Sequence, residues 1–198
     1  MKDQHGWPQA LKSERADEFP NATTPVVEDA FLLVGMQYYI AARSAALANL
    51  IQVCGNLYHH ALEMFLKAVL SRKYPMGDLK RTFKHNLPKM WNAFKDEFLS
   101  TRLVQFDTTI TELQKFEKIR HPEGLSEQGG LLFAEWKENS LQESLEPMFP
   151  TYRINVILID YLVLKIFETS SSNLLLCMYT LKSNPYVREN SYSLQPGW

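Results

Sequence analysis

The sequence has 198 residues, of which 45% are hydrophobic, 22% charged and 12% aromatic. This composition excludes collagen, low-complexity disorder and a coiled-coil rod, and the length suits one domain that needs neither a disulfide nor a metal to fold. The 21 basic and 22 acidic side chains give a net charge of -1, so the molecule as a whole is not a polyanion binder.

The two ends of the chain are predicted to be polar arms. Residues 1–24 lack a steady hydrophobic period, and residues 183–198 form a similar polar tail. The N-terminus has no apolar run of the signal-peptide kind, and the most apolar stretch, 154–167, is too short to span a membrane. Cys54 and Cys177 both lie in apolar runs, which favours buried thiols in a reducing compartment. We therefore expect a soluble cytoplasmic protein without a membrane partner.

Residues 25–182 predict an all-α domain built as an up-and-down helical bundle. Thr24 and Pro25 form a helix start, with a capping hydroxyl before a proline. Gly35 lies inside the first helix, where a missing side chain allows a neighbouring helix to come close. The predicted helices cover residues 26–48, 52–73, 86–99, 103–119, 151–169 and 173–181. Residues 131–137 predict a short strand, which would form one arm of a hairpin near 129–138.

The second predicted helix carries a narrow polar stripe on an otherwise apolar circumference. At about 100° per residue, the apolar side chains of residues 57–69 cover a broad arc. A helix of this kind is packed on several sides, so we expect it at the centre of the bundle. The stripe is either its one solvated face or the lining of a cleft, and its members are His59, His60, Glu63 and Lys67.

The spacing within this stripe raises the possibility of a metal site. His59 and His60 lie four and three residues before Glu63, so both project from the side of the helix that carries the carboxylate. Di-iron bundles use the order Glu-x-x-His from paired helices, and zinc proteases use His-Glu-x-x-His, and the sequence contains neither pattern. A polar face with a Glu63–Lys67 ion pair is the simpler interpretation, so no cofactor is expected. A metal-binding helical protein stays open as an alternative.

Charge is unevenly distributed along the chain. Residues 67–95 contain eight basic side chains and one acidic one, whereas residues 107–146 contain nine acidic and four basic ones. The basic segment has the charge to contact a phosphate backbone, but solvated cations at helix ends are the commonest explanation of such a segment. The two segments also suit complementary surfaces, within one molecule or across a dimer. Aromatic residues interleave the basic segment at Tyr74, Phe83 and Trp91.

Nucleophilic hydrolysis and nucleotide hydrolysis have no support in the sequence. There is no Gly-x-Ser-x-Gly elbow and no glycine-rich phosphate loop.

Residues 55–68, with the sequence GNLYHHALEMFLKA, resemble the second helix of HEPN-domain proteins. The segment LKRTFKHNL at 79–87 is similar to the thr-x-x-his-asp-leu turn of that family, with Asn86 in place of the usual aspartate. YYIAAR at 38–43 resembles the first helix of the family, and FEKIRHP at 116–122 the end of a later one. The resemblance covers roughly residues 27–168 and implies an up-and-down helical bundle that often forms a homodimer.

Many HEPN proteins are metal-independent ribonucleases with an Arg-x4–6-His motif near a helix end, and others are silent modules that bind RNA or proteins. Arg120 is the matching arginine, but residues 125–127 are Leu-Ser-Glu, and His121 is adjacent to Arg120 instead. The resemblance therefore implies a non-catalytic binding or regulatory module. The alternative is a ribonuclease that uses Arg120 with His121 or with a histidine from another helix. The predicted binding residues are His59, His60, Glu63, Lys67, Lys80, Arg81, Lys84 and His85.

Overall fold

Helices dominate the computed structural model of the protein, which describes residues 24–121, 123–124, 126, 129–136 and 150–172. In chain order the helices are α1 (Thr24–Leu47), α2 (Ile51–Leu70), α3 (Met76–Asp78), α4 (Leu87–Phe98), α5 (Asp107–Lys118) and α6 (Val156–Ser170). A π-helical turn (Leu79–Phe83) follows α3, and a 3-10 helix (Thr101–Phe106) precedes α5. The prediction of a mainly helical protein is confirmed.

The second helix, α2, lies at the centre of the described fold. Thirteen of its 20 residues are buried, and it contacts α1, α4, α5 and α6. A helix with apolar side chains around most of its circumference is stable in water only when several neighbours cover it. The predicted central helix is therefore confirmed, and its polar stripe is largely buried.

Two glycines allow neighbouring helices to approach α2 closely. A Cβ atom at Gly35 of α1 would lie 2.6 Å from the Phe65 ring, and one at Gly55 of α2 would lie 2.1 Å from the Phe116 ring of α5. Both phenylalanines are fully buried, so each ring fills the space that a side chain would otherwise need. The predicted close approach at Gly35 is confirmed, whereas Gly55 was not identified from the sequence.

Two short strands form a parallel pair beside the helices. In the pair formed by β1 (Leu131–Glu135) and β2 (Thr151–Asn155), Leu131 lies opposite Thr151 and Glu135 opposite Asn155. The predicted strand is confirmed over residues 131–135. The expected hairpin near 129–138 is wrong, because β1 pairs in parallel with β2. A tight hairpin turn joins antiparallel strands, whereas parallel strands need a longer connection.

The helix expected over 151–169 begins later than predicted, because its first five residues form β2. Tyr152 and Ile154 are buried and alternate with half-buried neighbours, which is the period of a strand. The Asn155 side chain then starts α6 by accepting a hydrogen bond of 3.0 Å from the backbone N–H of Leu158. The long apolar run in the sequence conceals this change of period.

The remaining predicted helices agree with the structure apart from their ends. The Asn86 side chain accepts a hydrogen bond of 2.9 Å from the backbone N–H of Lys89 and so caps α4. The predicted helix at 103–119 begins as the 3-10 helix, and the one at 52–73 ends at Leu70. The predicted C-terminal tail, the predicted helix at 173–181 and residues 1–23 lie outside the described residues.

The first helix, α1, is apolar on its outer face as well as on its inner one. By length and composition alone, Val27–Leu47 is able to cross a membrane, and 44% of its most apolar window is buried inside the protein. The core helix of a water-soluble protein meets the same criterion. Exposed residues at helical spacing form the apolar stripe of α1, which consists of Ala30, Leu33, Val34 and Ala41 and is interrupted by one polar residue, Gln37.

The contact between Gly55 and Phe116 predicts a large effect of a single added methyl group. We expect Gly55→Ala to lower the free energy of unfolding by about 1–3 kcal/mol, because the buried ring must move to accept the methyl group. Urea denaturation measures this change. Gly77→Ala is the control, since nothing lies within 4 Å of a Cβ at Gly77, and we expect a change within about 0.5 kcal/mol. Equal effects of the two substitutions would contradict the close contact.

Candidate functional site

The polar stripe of α2 lines a buried cluster that is centred on Glu63. The Glu63 side chain is 1% exposed, and its Oε1 accepts a hydrogen bond of 2.5 Å from Lys67 Nζ. His85 Nδ1 lies 3.0 Å from Oε2 and 3.1 Å from Oε1, and His60 Nδ1 lies 3.5 Å from Oε2. We call Glu63, Lys67, His60 and His85 the Glu63 cluster.

The local structure explains how these side chains meet. The three cluster members on α2 are spaced three and four residues apart, so they share one face of the helix. His85 comes from a loop between the π-helical turn and α4. Leu79 and Phe83 anchor that turn in the core, and Lys84 adopts a left-handed φ of 50° that redirects the chain. Because Asn86 caps α4, the backbone is held in place both before and after His85.

The cluster keeps the Glu63 carboxylate ionised. Burial by itself raises the pKa of Glu63, but hydrogen bonds from His60, Lys67 and His85 outweigh burial and lower the pKa to about 2. If the buried carboxylate lost one of these partners, its charge would be compensated less fully. The predicted Glu63–Lys67 pair is therefore confirmed as a buried interaction within a larger cluster.

His59 extends the cluster towards α5. Its side chain is fully buried, and Nδ1 lies 3.3 Å from the carbonyl oxygen of Leu113. Nε2 lies 3.9 Å from Oε2 of Glu63 and 3.7 Å from Oε2 of Glu117, yet it has no hydrogen-bond partner. Burial lowers the pKa of His59, which favours the neutral ring. A neutral ring that donates Nδ1–H to Leu113 leaves the Nε2 lone pair near two carboxylates.

Arg120 and His121 lie just beyond the C-terminal end of α5. Nη1 of Arg120 is 3.5 Å from Oε1 of Glu117, whose other oxygen is the one near His59. Arg120 therefore reaches the edge of the Glu63 cluster through two intervening residues. His121 is exposed, and within the described part of the chain no hydrogen bond or ion pair joins its side chain to the cluster.

Most cations of the basic segment are engaged in ion pairs. Lys67 belongs to the Glu63 cluster, and the other pairs are Arg72–Glu28, Lys73–Glu97, Arg81–Asp78 and Lys95–Asp107. The Lys95–Asp107 pair joins the basic segment to the acidic one, so the two are complementary within one molecule at this point. Lys80 and Lys84 are exposed and have no ion pair among the described residues.

The aromatic residues of the basic segment are less accessible than their positions in the sequence suggest. Phe83 and Trp91 are buried in the core, so they are not available to stack on nucleic-acid bases. Tyr74 is half-buried, and its ring packs edge-on against Phe83 with 5.3 Å between the centroids. The interleaved pattern therefore reflects mainly core packing.

A second polar cluster, which was not identified from the sequence, joins α1 to α6. The hydroxyl of Tyr39 and the guanidinium of Arg43 both donate to the carboxylate of Asp160, and the guanidinium lies 5.9 Å from the centre of the Trp136 ring. Burial raises the pKa of Asp160, and these two donors partly oppose that effect. Two features of the sequence could have indicated this cluster. They are the Tyr-x-x-x-Arg spacing on one apolar helix and the lone aspartate on another.

Comparisons with known proteins leave the family open. No protein-family model, curated protein or solved structure matches this chain.

The pKa of Glu63 predicts how stability depends on pH. A pKa that falls from 4.5 to about 2 on folding stabilises the protein above pH 4.5, and this contribution disappears as the pH falls through 2. We expect Glu63→Gln to lower the free energy of unfolding at pH 7 by up to about 3 kcal/mol, and the loss to shrink below pH 4.5. Urea denaturation between pH 2 and pH 7 measures both effects.

Glu97→Gln is the matched control for this prediction. Glu97 pairs with Lys73 on the surface, where ion pairs contribute little to stability, so we expect a nearly constant, small change. If the Glu63→Gln curve ran parallel to that of the wild type at every pH, the ionised carboxylate would not be the stabilising species.

Proposed function

We propose that this chain is a non-catalytic, HEPN-like helical module that binds RNA. The contact surface is the basic turn, which consists of Lys80, Arg81, Lys84 and His85. The observation that carries the proposal is that all four side chains are exposed, while Lys80 and Lys84 have no ion pair among the described residues. Cations without a partner are the groups that can replace counterions along a phosphate backbone.

The arrangement of the basic turn supports this role. Leu79 and Phe83 are buried on the inner side of the turn, so its cations are held on a preformed surface and less conformational freedom is lost on binding. Tyr74 remains partly accessible beside it. Aromatic stacking is a sequence-tolerant contact with single-stranded RNA, which makes single strands the expected ligand.

Contact between the resembling segments supports the HEPN-like assignment. The helix at 55–68 and the turn at 79–87 carry the resemblance, and His85 of the turn contacts Glu63 of the helix. The non-catalytic assignment has separate support. The Arg120 guanidinium lies beside the Glu117 carboxylate, which reduces the positive charge that it can offer to a phosphate.

Reversal of two charges tests the proposed RNA surface. We expect Lys80→Glu/Lys84→Glu to weaken binding of a labelled single-stranded RNA at least tenfold, because each substitution replaces attraction to phosphate by repulsion. Fluorescence anisotropy in EDTA at several salt concentrations measures the effect. The logarithm of the association constant falls linearly with the logarithm of the salt concentration, and each contact with a single-stranded phosphate contributes about 0.7 to the steepness of this slope. Loss of two contacts should therefore make the slope shallower by roughly 1.4. Lys165→Glu is the control, on an exposed lysine of α6 that pairs with Glu168.

Two results would overturn the proposal. The first is no RNA binding by the wild type at low salt, and the second is equal binding by the wild type and the double variant. The same samples, run on a denaturing gel, report cleavage. EDTA-resistant cleavage that Arg120→Ala abolishes would establish the alternative, a metal-independent ribonuclease centred on Arg120.

The apolar stripe of α1 supports a homodimer, which the resemblance also implies. Leu33 and Val34 are 39% and 40% exposed on this stripe, and burying them against a second copy removes apolar surface from water. We expect Leu33→Lys to shift the protein from dimer to monomer in light-scattering measurements. Val104→Lys, at an exposed apolar residue outside the stripe, should leave the dimer intact. A monomeric wild type, or a dimer that Leu33→Lys does not weaken, would contradict this interface.

A further inference from the structure

The Glu63 cluster has the donor atoms and the spacing of a transition-metal site. We infer that His60, Glu63 and His85 bind a divalent ion of the zinc type through the two histidine Nδ1 atoms and Oε2 of Glu63. The inference rests on the cluster alone: it shares His85 with the basic turn, but no step of it depends on RNA binding. The metal-binding alternative drawn from the sequence used His59 as its second imidazole, whereas the structure brings in His85 from the loop that follows the π-helical turn.

The distances between the donor atoms suit a metal ion. Each of the three residues offers one ligand atom, and these atoms all lie within 4.8 Å of one another. Oε2 of Glu63 is 3.0 Å from Nδ1 of His85 and 3.5 Å from Nδ1 of His60. Two ligands that bind one tetrahedral zinc ion at 2.0–2.1 Å lie about 3.3 Å apart. Small side-chain adjustments therefore suffice to place an ion between these atoms.

The types of ligand favour a transition metal over magnesium or calcium. Two imidazoles with one carboxylate suit Zn²⁺ and neighbouring first-row ions, whereas Mg²⁺ and Ca²⁺ prefer sites made of oxygen atoms. His60 and Glu63 are fixed on α2, and the side chain of His85 is 54% exposed, so the third ligand also gives access from solvent. Lys67 donates a hydrogen bond to Oε1 of Glu63, so Oε2 is the carboxylate oxygen that is available to an ion beside the imidazoles.

His59 gives a second, independent indication of a cation at this place. Its side chain is 1% exposed, and Nε2 has no hydrogen-bond partner although it lies 3.9 Å from Oε2 of Glu63. Buried polar nitrogens without partners are rare in native proteins, and they often mark the position of an ion or a water molecule. A metal ion bound to Oε2 would place positive charge near this lone pair and so compensate for its missing partner.

Metal titration of the 198-residue chain tests the inference. After treatment with a chelator, we expect the protein to bind one Zn²⁺ per chain in isothermal titration calorimetry. Co²⁺ should give the visible absorption of a tetrahedral site. His85→Ala and His60→Ala should each weaken Zn²⁺ binding at least about 100-fold, because loss of a supporting residue alone costs 10–100-fold. His121→Ala controls for binding at a surface histidine outside the cluster, and it should retain the affinity of the wild type.

A folding control keeps the test decisive. His85 is half exposed in a loop, so His85→Ala leaves no cavity in the core, and circular dichroism verifies that this variant is folded. Zn²⁺ should raise the melting temperature of the wild type but not that of His85→Ala. Equal Zn²⁺ affinity of the wild type and His85→Ala, or no Zn²⁺ binding by the wild type, would overturn the inference. No RNA is present in these measurements, so failure of the RNA proposal would leave their outcome unchanged.

Discussion

Burying the Glu63 carboxylate in the middle of α2 has an energetic cost that neighbouring residues must offset. Lys67 and His60 lie on the same helix and reach the carboxylate through helical spacing alone. His85 does not, so the chain that leaves α2 must return across the same face to bring it there. One buried charge thus constrains the path of the connection between α2 and α4, and with it the position of the exposed cations on that connection.

A comparable constraint joins the first helix of the described chain, α1, to the last one, α6. Arg43 and Tyr39 of α1 both donate to Asp160 of α6, so two helices that are distant in the chain share one partly buried network. Apolar packing alone is non-directional and tolerates sliding of helices against one another. A network with defined donors and acceptors is satisfied in only one arrangement, which makes it a means of fixing the relative positions of α1 and α6.

Helical periodicity predicted the main helices, the central position of α2 and the close approach at Gly35, because each follows from side chains within one helix. It did not predict β2, where buried Tyr152 and Ile154 alternate inside a longer apolar run. Helical periodicity also does not predict contacts between different elements. His85 and Glu63 are separated by 22 residues and a π-helical turn, so no period relates them. The sequence also did not show that most cations of the basic segment form ion pairs, because acidic partners such as Glu28 and Glu97 lie on other parts of the chain.

The π-helical turn also makes the length of the chain between α2 and α4 a structural requirement. Within a helix, one residue more or less rotates everything that follows by about 100°. Removing a single residue from Leu79–Phe83 would carry His85 away from the carboxylate even if every cluster residue were kept. In related chains that retain this contact, evolution should therefore preserve the number of residues between Glu63 and His85 as strictly as their identities, and insertions should accumulate elsewhere.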